Sequence, residues 1–169
     1  YGGGASADSV LRLCDHLADR ETIVCTDAGY AVNPAEIERL MQRPELSVAT
    51  TNLLRVNLPP GEAISVAAAE ALFREASDLR QKDFAGSAQR YLQATRTQLE
   101  CLRAGLQGAG FDDLKWYIAS YCSVKAGHAF VTNSYGEAVP FYLAFFSLAQ
   151  EADSVWPRIQ RLVNPMASY

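Results

Sequence analysis

The stretch SYGEAVPFYLAFFSLAQ, residues 134–150, carries one formal charge, Glu137, in seventeen residues. Ser134 and Glu137 have the S-x-x-E spacing of a capping box, in which hydroxyl and carboxylate each satisfy a free backbone N–H. A helix is therefore predicted to start here. Pro140 lies six positions past the cap, where it removes one backbone hydrogen bond and presses on the carbonyl of residue 136. Residue 136 is glycine, whose backbone adjusts easily, so a bent first turn and a continuing helix are expected. On that helix Ala138, Phe141, Tyr142 and Phe145 share one face, while Val139, Leu143 and Phe146 share another. A helix apolar all round is either central or covered by a second molecule. Val139, Leu143 and Phe146 form the candidate interaction surface. The apolar run 138–149 is much shorter than the ~20 residues of a membrane span.

The rest of the chain carries the same period. Apolar residues at three- and four-residue steps predict a helix over residues 8–20. Residues 22–25 read as a short extended piece or a loop, and Gly29 as a turn. Asn33, Pro34 and Glu36 then place a cap, a first-turn proline and an acidic third position, with Val32 and Ile37 spaced as a hydrophobic staple. That helix must end before Pro44. A further helix is expected over 47–55, and NLPPGE (residues 57–62) is the clearest break. Residues 64–80 predict a helix with Ala68, Ala71, Leu72, Ala76 and Leu79 inward. Residues 84–106 predict the next helix, closed by Gly108 and Gly110. Asp112 reads as the cap of a helix toward Val131, with Phe111 stapled onto Trp116, and residues 155–166 as a final helix. The fold class is all-α: antiparallel helical hairpins, with an N-terminal helical subdomain (1–56), a linker (57–62) and a hairpin region (63–169).

Two helix pairs look alike. LFREASDLRQKDFAGSAQRYLQA (residues 72–94) has Ala76 late in its first helix, Phe84 at the turn, then Ser87, Tyr91 and Ala94. CSVKAGHAFVTNSYGEAVPFYLAFF (residues 122–146) has Ala126, then Tyr135, Ala138, Tyr142 and Phe145. Both resemble the tetratricopeptide repeat (TPR), in which small residues let two helices approach closely and an aromatic begins the second. The resemblance spans residues 69–149. Ala88 and Ala138 stand about fifty residues apart, against the ~34-residue period of that family, so the pairs are TPR-like hairpins rather than a regular array. An irregular helical bundle is the other reading. The resemblance implies a protein-interaction or scaffold role.

Composition excludes more functions than it suggests. The 169 residues are 49% hydrophobic and 20% charged, a balance that supports a packed core. A net charge of −4 disfavours nucleic-acid binding. The segment from Asn33 to Asn57 mimics a helix-turn-helix, but beyond Arg39, Arg43 and Arg55 it lacks the basic cluster that phosphates require. Four scattered cysteines without a CxxC pair read as reduced thiols of a cytoplasmic protein. Cys14, His16 and Cys25 lack a fourth ligand for zinc, so no metal or cofactor is expected. Cys122 and His128 are six residues apart and fall on different helical faces, which disfavours a nucleophilic pair. Asp112–Asp113 and Glu151/Asp153 sit at expected helix starts, where carboxylates complement the macrodipole. No phosphate-loop, zincin or nucleophile-elbow pattern is present. With Tyr at position 1, the sequence reads as part of a longer or processed protein.

Twelve of the seventeen aromatic residues lie from Phe111 onward, which puts the dense packing in the C-terminal third. The functional expectation is a non-catalytic interaction or assembly module that binds a protein partner or itself. The alternative is a ligand-sensing or enzymatic domain with a pocket between helices, for which Tyr117, Tyr121, His128 and Tyr142 are the candidates.

Overall fold

The computed structural model describes residues 23–26, 29–58, 60–61 and 63–151, with side chains from residue 31 onward. The helices expected over 8–20 and 155–166 lie outside the described residues. The chain divides into two compact units, Tyr1–Leu40 and Met41–Tyr169.

In the first unit, strands β1 (Ile23–Thr26) and β2 (Gly29–Val32) pair antiparallel, with Ile23 opposite Val32 and Thr26 opposite Gly29. The extended piece is thus one arm of a hairpin, and Gly29 opens the returning strand. Helix α1 (Pro34–Met41) follows. Asn33 caps it as its sequence requires: the side-chain Oδ1 accepts from the Ala35 N–H at 3.0 Å. Pro34 takes the first helical position, where a missing N–H costs nothing. Glu36 pairs with Arg39 at 2.9 Å across one turn.

The second unit begins with a 3₁₀ turn at Pro44–Leu46 and helix α2 (Ser47–Arg55). An irregular segment then leads to α3 (Val66–Leu79), α4 (Phe84–Arg103), α5 (Phe111–Val131) and α6 (Tyr135–Gln150). Residues 57–62 accordingly join two helices of one compact unit. Ser65 and Asp83 cap α3 and α4, accepting from the N–H groups of Ala68 at 3.1 Å and Gly86 at 2.9 Å.

Several helix ends differ from expectation for local reasons. Helix α4 stops at Arg103 because Gly105 adopts φ +64°. Its N–H bonds to the Leu102 carbonyl, and the Leu106 N–H to that of Cys101. This is a Schellman closure, so Gly105 takes the role expected of Gly108 and Gly110. Gly110 instead caps α5, which starts at Phe111, one residue before the expected cap Asp112. Asn133 closes α5 the same way at φ 57°, with the Ser134 N–H bonded to the Ala129 carbonyl. Having completed that closure, Ser134 does not accept through its hydroxyl from α6, and its side chain receives a 3.5 Å contact from Thr132 Oγ1. The helix starts where the capping box predicts, without the box's side-chain bond. It runs through Pro140 to Gln150.

The helices form two antiparallel hairpins. In the first, Ser87 Oγ donates to the Ala76 carbonyl at 2.7 Å, and the Ser77 and Tyr91 hydroxyls meet at 3.1 Å. Further from the turn, Ala69 and Leu72 join Ala94 in one buried cluster. Contacts that move outward on one helix as they move inward on the other define antiparallel packing. In the second hairpin, Phe130 meets Tyr135 near the turn, Tyr121 meets Phe141, and Lys115 reaches Glu151 at the open end. The inward face of α3 is Ala69, Leu72 and Ala76; Ala71, expected inward, is exposed. Alanine at positions 67, 68, 69 and 71 alike made the start of the apolar stripe unreadable to within a residue.

Helix α5 is the centre. It packs on α4 and α6, with α2 lying against all three. Every position from Tyr117 to Val124 is buried, including Ser120 and Ser123. Polar groups on this helix are satisfied by neighbours: Ser123 Oγ accepts from Arg80 at 2.6 Å and Tyr121 from Asn52 at 2.9 Å. Phe73 stacks on Tyr117 with centroids 4.3 Å apart and meets Tyr91 edge-on, which locks α3, α4 and α5 together.

Candidate functional site

Helix α6 buries Ala138, Phe141, Ala144, Phe145 and Leu148 at three- and four-residue steps. The opposite stripe is open: Tyr135 is 54% exposed, Val139 52%, Leu143 60% and Phe146 40%. These four positions stack along three turns of one helix. Tyr142 borders the stripe, its ring stacked on Phe146 at 6.3 Å. Aromatic and branched side chains left in water over this length form an apolar ridge of the kind that marks contact surfaces.

The ridge stands on a fixed base. Arg43, just before the 3₁₀ turn, reaches Glu45 at 3.0 Å and also bonds Glu151 and Ser147 at the far end of α6. Ser147 Oγ donates to the same Glu45 carboxylate at 3.0 Å. Hydrogen bonds, first with its own backbone N–H and then with Arg43 and Ser147, hold the Glu45 carboxyl below the usual range. Lys115 on α5 adds a 3.2 Å contact to Glu151. Engagement of Arg43 here, and of Arg39 by Glu36, leaves Arg55 as the one cation of the helix-turn-helix-like segment without a carboxylate among the described residues.

The four pocket candidates have different surroundings. Tyr117 is a core ring under Phe73. His128 stacks on Phe84 with centroids 5.5 Å apart. Tyr142 accompanies the ridge. Tyr121 is buried, yet it lines an open cleft of ≈ 570 Å³ bounded by α2, the segment after it, α4 and α5. Its polar lining is Asn52, Arg55, Asn57, Gln89, Gln93, Tyr121 and Lys125, and no described residue lining it is a carboxylate. Lys125 lies over the Phe141 ring at 5.7 Å, a cation–π contact that leaves its N–H donors free. Sequence reading missed this cleft because its parts come from four separate elements.

Cys101 and Cys122 are buried free thiols. Burial pushes Cys122 up to about 12, and burial followed by the neighbouring Glu100 raises Cys101. Neither is an activated nucleophile. Among the described residues no group of three or more His, Cys, Asp and Glu is arranged to hold a metal ion, and no helix is long and apolar enough to cross a membrane. Comparison with known proteins finds no matching family model, curated protein or solved structure.

Proposed function

We propose that this chain is a non-catalytic interaction or assembly module, built from TPR-like hairpins, that docks a protein partner or a second copy on the α6 ridge. The observation that carries the reading is the exposure of Tyr135, Val139, Leu143 and Phe146 on one face of a helix whose other face is core. Burying one such side chain is worth roughly 1.5–3 kcal/mol, so a few of them supply the centre of an interface. The small residues at the first hairpin crossing, Ala76 against Ser87, support the repeat-like architecture. A cytoplasmic scaffold is the setting that fits reduced, buried thiols.

Solution mass tests the reading directly. Wild type is expected to self-associate, or to capture its partner, in a concentration-dependent way, and Phe146→Glu and Leu143→Glu are expected to abolish that while remaining folded. A charge at the centre of an apolar interface costs several kcal/mol, equivalent to a loss of ~100-fold or more in affinity. Wild type and both variants behaving as folded monomers of equal stability, with the same binding behaviour, would end the proposal.

A further inference from the structure

The cleft beside Tyr121 is lined by two cations and, among the described residues, by no carboxylate. Tyr121 Oη accepts from Asn52 Nδ2 at 2.9 Å, so its own hydroxyl proton remains to be donated. Burial pushes that phenol up to about 12, which keeps the proton in place at neutral pH. Gln93 has already used its carbonyl oxygen, which accepts from Arg90 at 2.8 Å, leaving its amide N–H groups. Arg55 and Lys125 contribute full charges and have no carboxylate partner among the described residues. This is unusual in a chain with more acidic than basic residues, where most described arginines are paired. Two cations, a phenol and four side-chain amides therefore line one open cleft.

We propose that this cleft binds an acidic peptide segment, its Asp or Glu side-chain carboxylates received by Arg55, Lys125 and the Tyr121 hydroxyl. Charge complementarity selects the anion, since a guanidinium and an ammonium beside neutral N–H and O–H donors match carboxylate oxygens. Shape selects a peptide over a compact anion. The cleft is open rather than enclosed, and Val56, Leu58, Pro60 and Leu92 line it alongside the polar groups. An extended peptide presents alternate residues to opposite sides, so its carboxylates can meet the cations while small apolar residues meet these side chains. The site lies on α2, α4 and α5, and is independent of the α6 ridge.

The test uses fluorescence anisotropy with a labelled octapeptide of alternating alanine and glutamate, acetylated and amidated so that only side-chain carboxylates are present. Saturable binding that weakens as ionic strength rises is expected. The alternating alanine–glutamine peptide should bind at least ~10-fold more weakly, and the Arg55→Gln/Lys125→Gln double variant should lose a similar factor for the acidic peptide. Arg55 is exposed and Lys125 is half-buried along the open cleft, so circular dichroism should be unchanged; Phe146→Glu should bind the acidic peptide like wild type. Equal binding of the two peptides, undiminished binding by the double variant, or no binding at all would overturn the proposal. So would displacement by inorganic phosphate beyond that by chloride at matched ionic strength, which would mark a phosphate site instead.

Discussion

Phe145→Ala is expected to cost about 3–5 kcal/mol of folding stability, while Phe146→Ala, one residue along, costs less than about 1 kcal/mol. Phe145 is 0% exposed on the buried face of α6, so truncation removes buried area and leaves a void that rigid neighbours cannot fill. Phe146 is 40% exposed and loses mainly a ring contact to Phe145 at 5.6 Å and a stack on Tyr142. Urea denaturation of both variants measures the difference, provided the protein is dilute enough to be monomeric. A loss for Phe146→Ala as large as that for Phe145→Ala would mean the ridge is covered within the monomer, and the interaction reading would fail with it. Near-equal small losses would mean that α6 does not pack as described.

Alkaline pH should unfold the protein through two adjacent residues of α5. Burial raises the Tyr121 phenol and the Cys122 thiol to about 12, from ordinary values of 10.0 and 9.0. In both cases the neutral form is the buried one, and the folded pKa is the higher. Their contribution is therefore intact below the unfolded pKa values and is withdrawn as pH rises from 9 toward 12, because the unfolded chain releases those protons first. At ~1.4 kcal/mol per pH unit, Cys122 alone withdraws on the order of 2–3 kcal/mol by about pH 11, and Tyr121 roughly 1 more. Denaturation curves at pH 7 and about pH 11 for wild type and Cys122→Ala check this. The variant should be less stable at neutrality by about 1–2 kcal/mol but lose less on alkalinisation, since other titrating groups cancel between the two proteins. Parallel losses in both would show that Cys122 is already open to solvent.

Much of the architecture was legible from local chemistry. Asn33 and Pro34 started a helix because a side-chain acceptor and a missing N–H suit that position in any protein, and residues 47–55 were recognised despite their β-branched residues. Helix ends were less readable, since they depend on which residue takes positive φ. Gly108 and Gly110 were expected to close α4, but Gly105, inside the expected helix, is the residue that does. Likewise Ser134 and Glu137 marked the right start for α6, but the preceding closure around Asn133 took over the backbone there.

Sequence by itself determined the helical class, the short connection that leads into Phe84 and the division of α6 into two apolar faces, because periodicity and capping are properties of consecutive residues. Which face is core was decided only in three dimensions. The apolar α6 read as either central or partner-covered, whereas α5, with its serines, tyrosines and Lys125, occupies the middle. Polar side chains become acceptable in a core when another element brings their hydrogen-bond partner, as Asn52 does for Tyr121 and Arg80 for Ser123. Those partners are 69 and 43 residues away along the chain, and nothing in the local pattern announces them. The same tertiary packing set α6's first face against α5, α2 and the 3₁₀ turn and left Val139, Leu143 and Phe146 exposed, because the described elements that pack on α6 meet its other face.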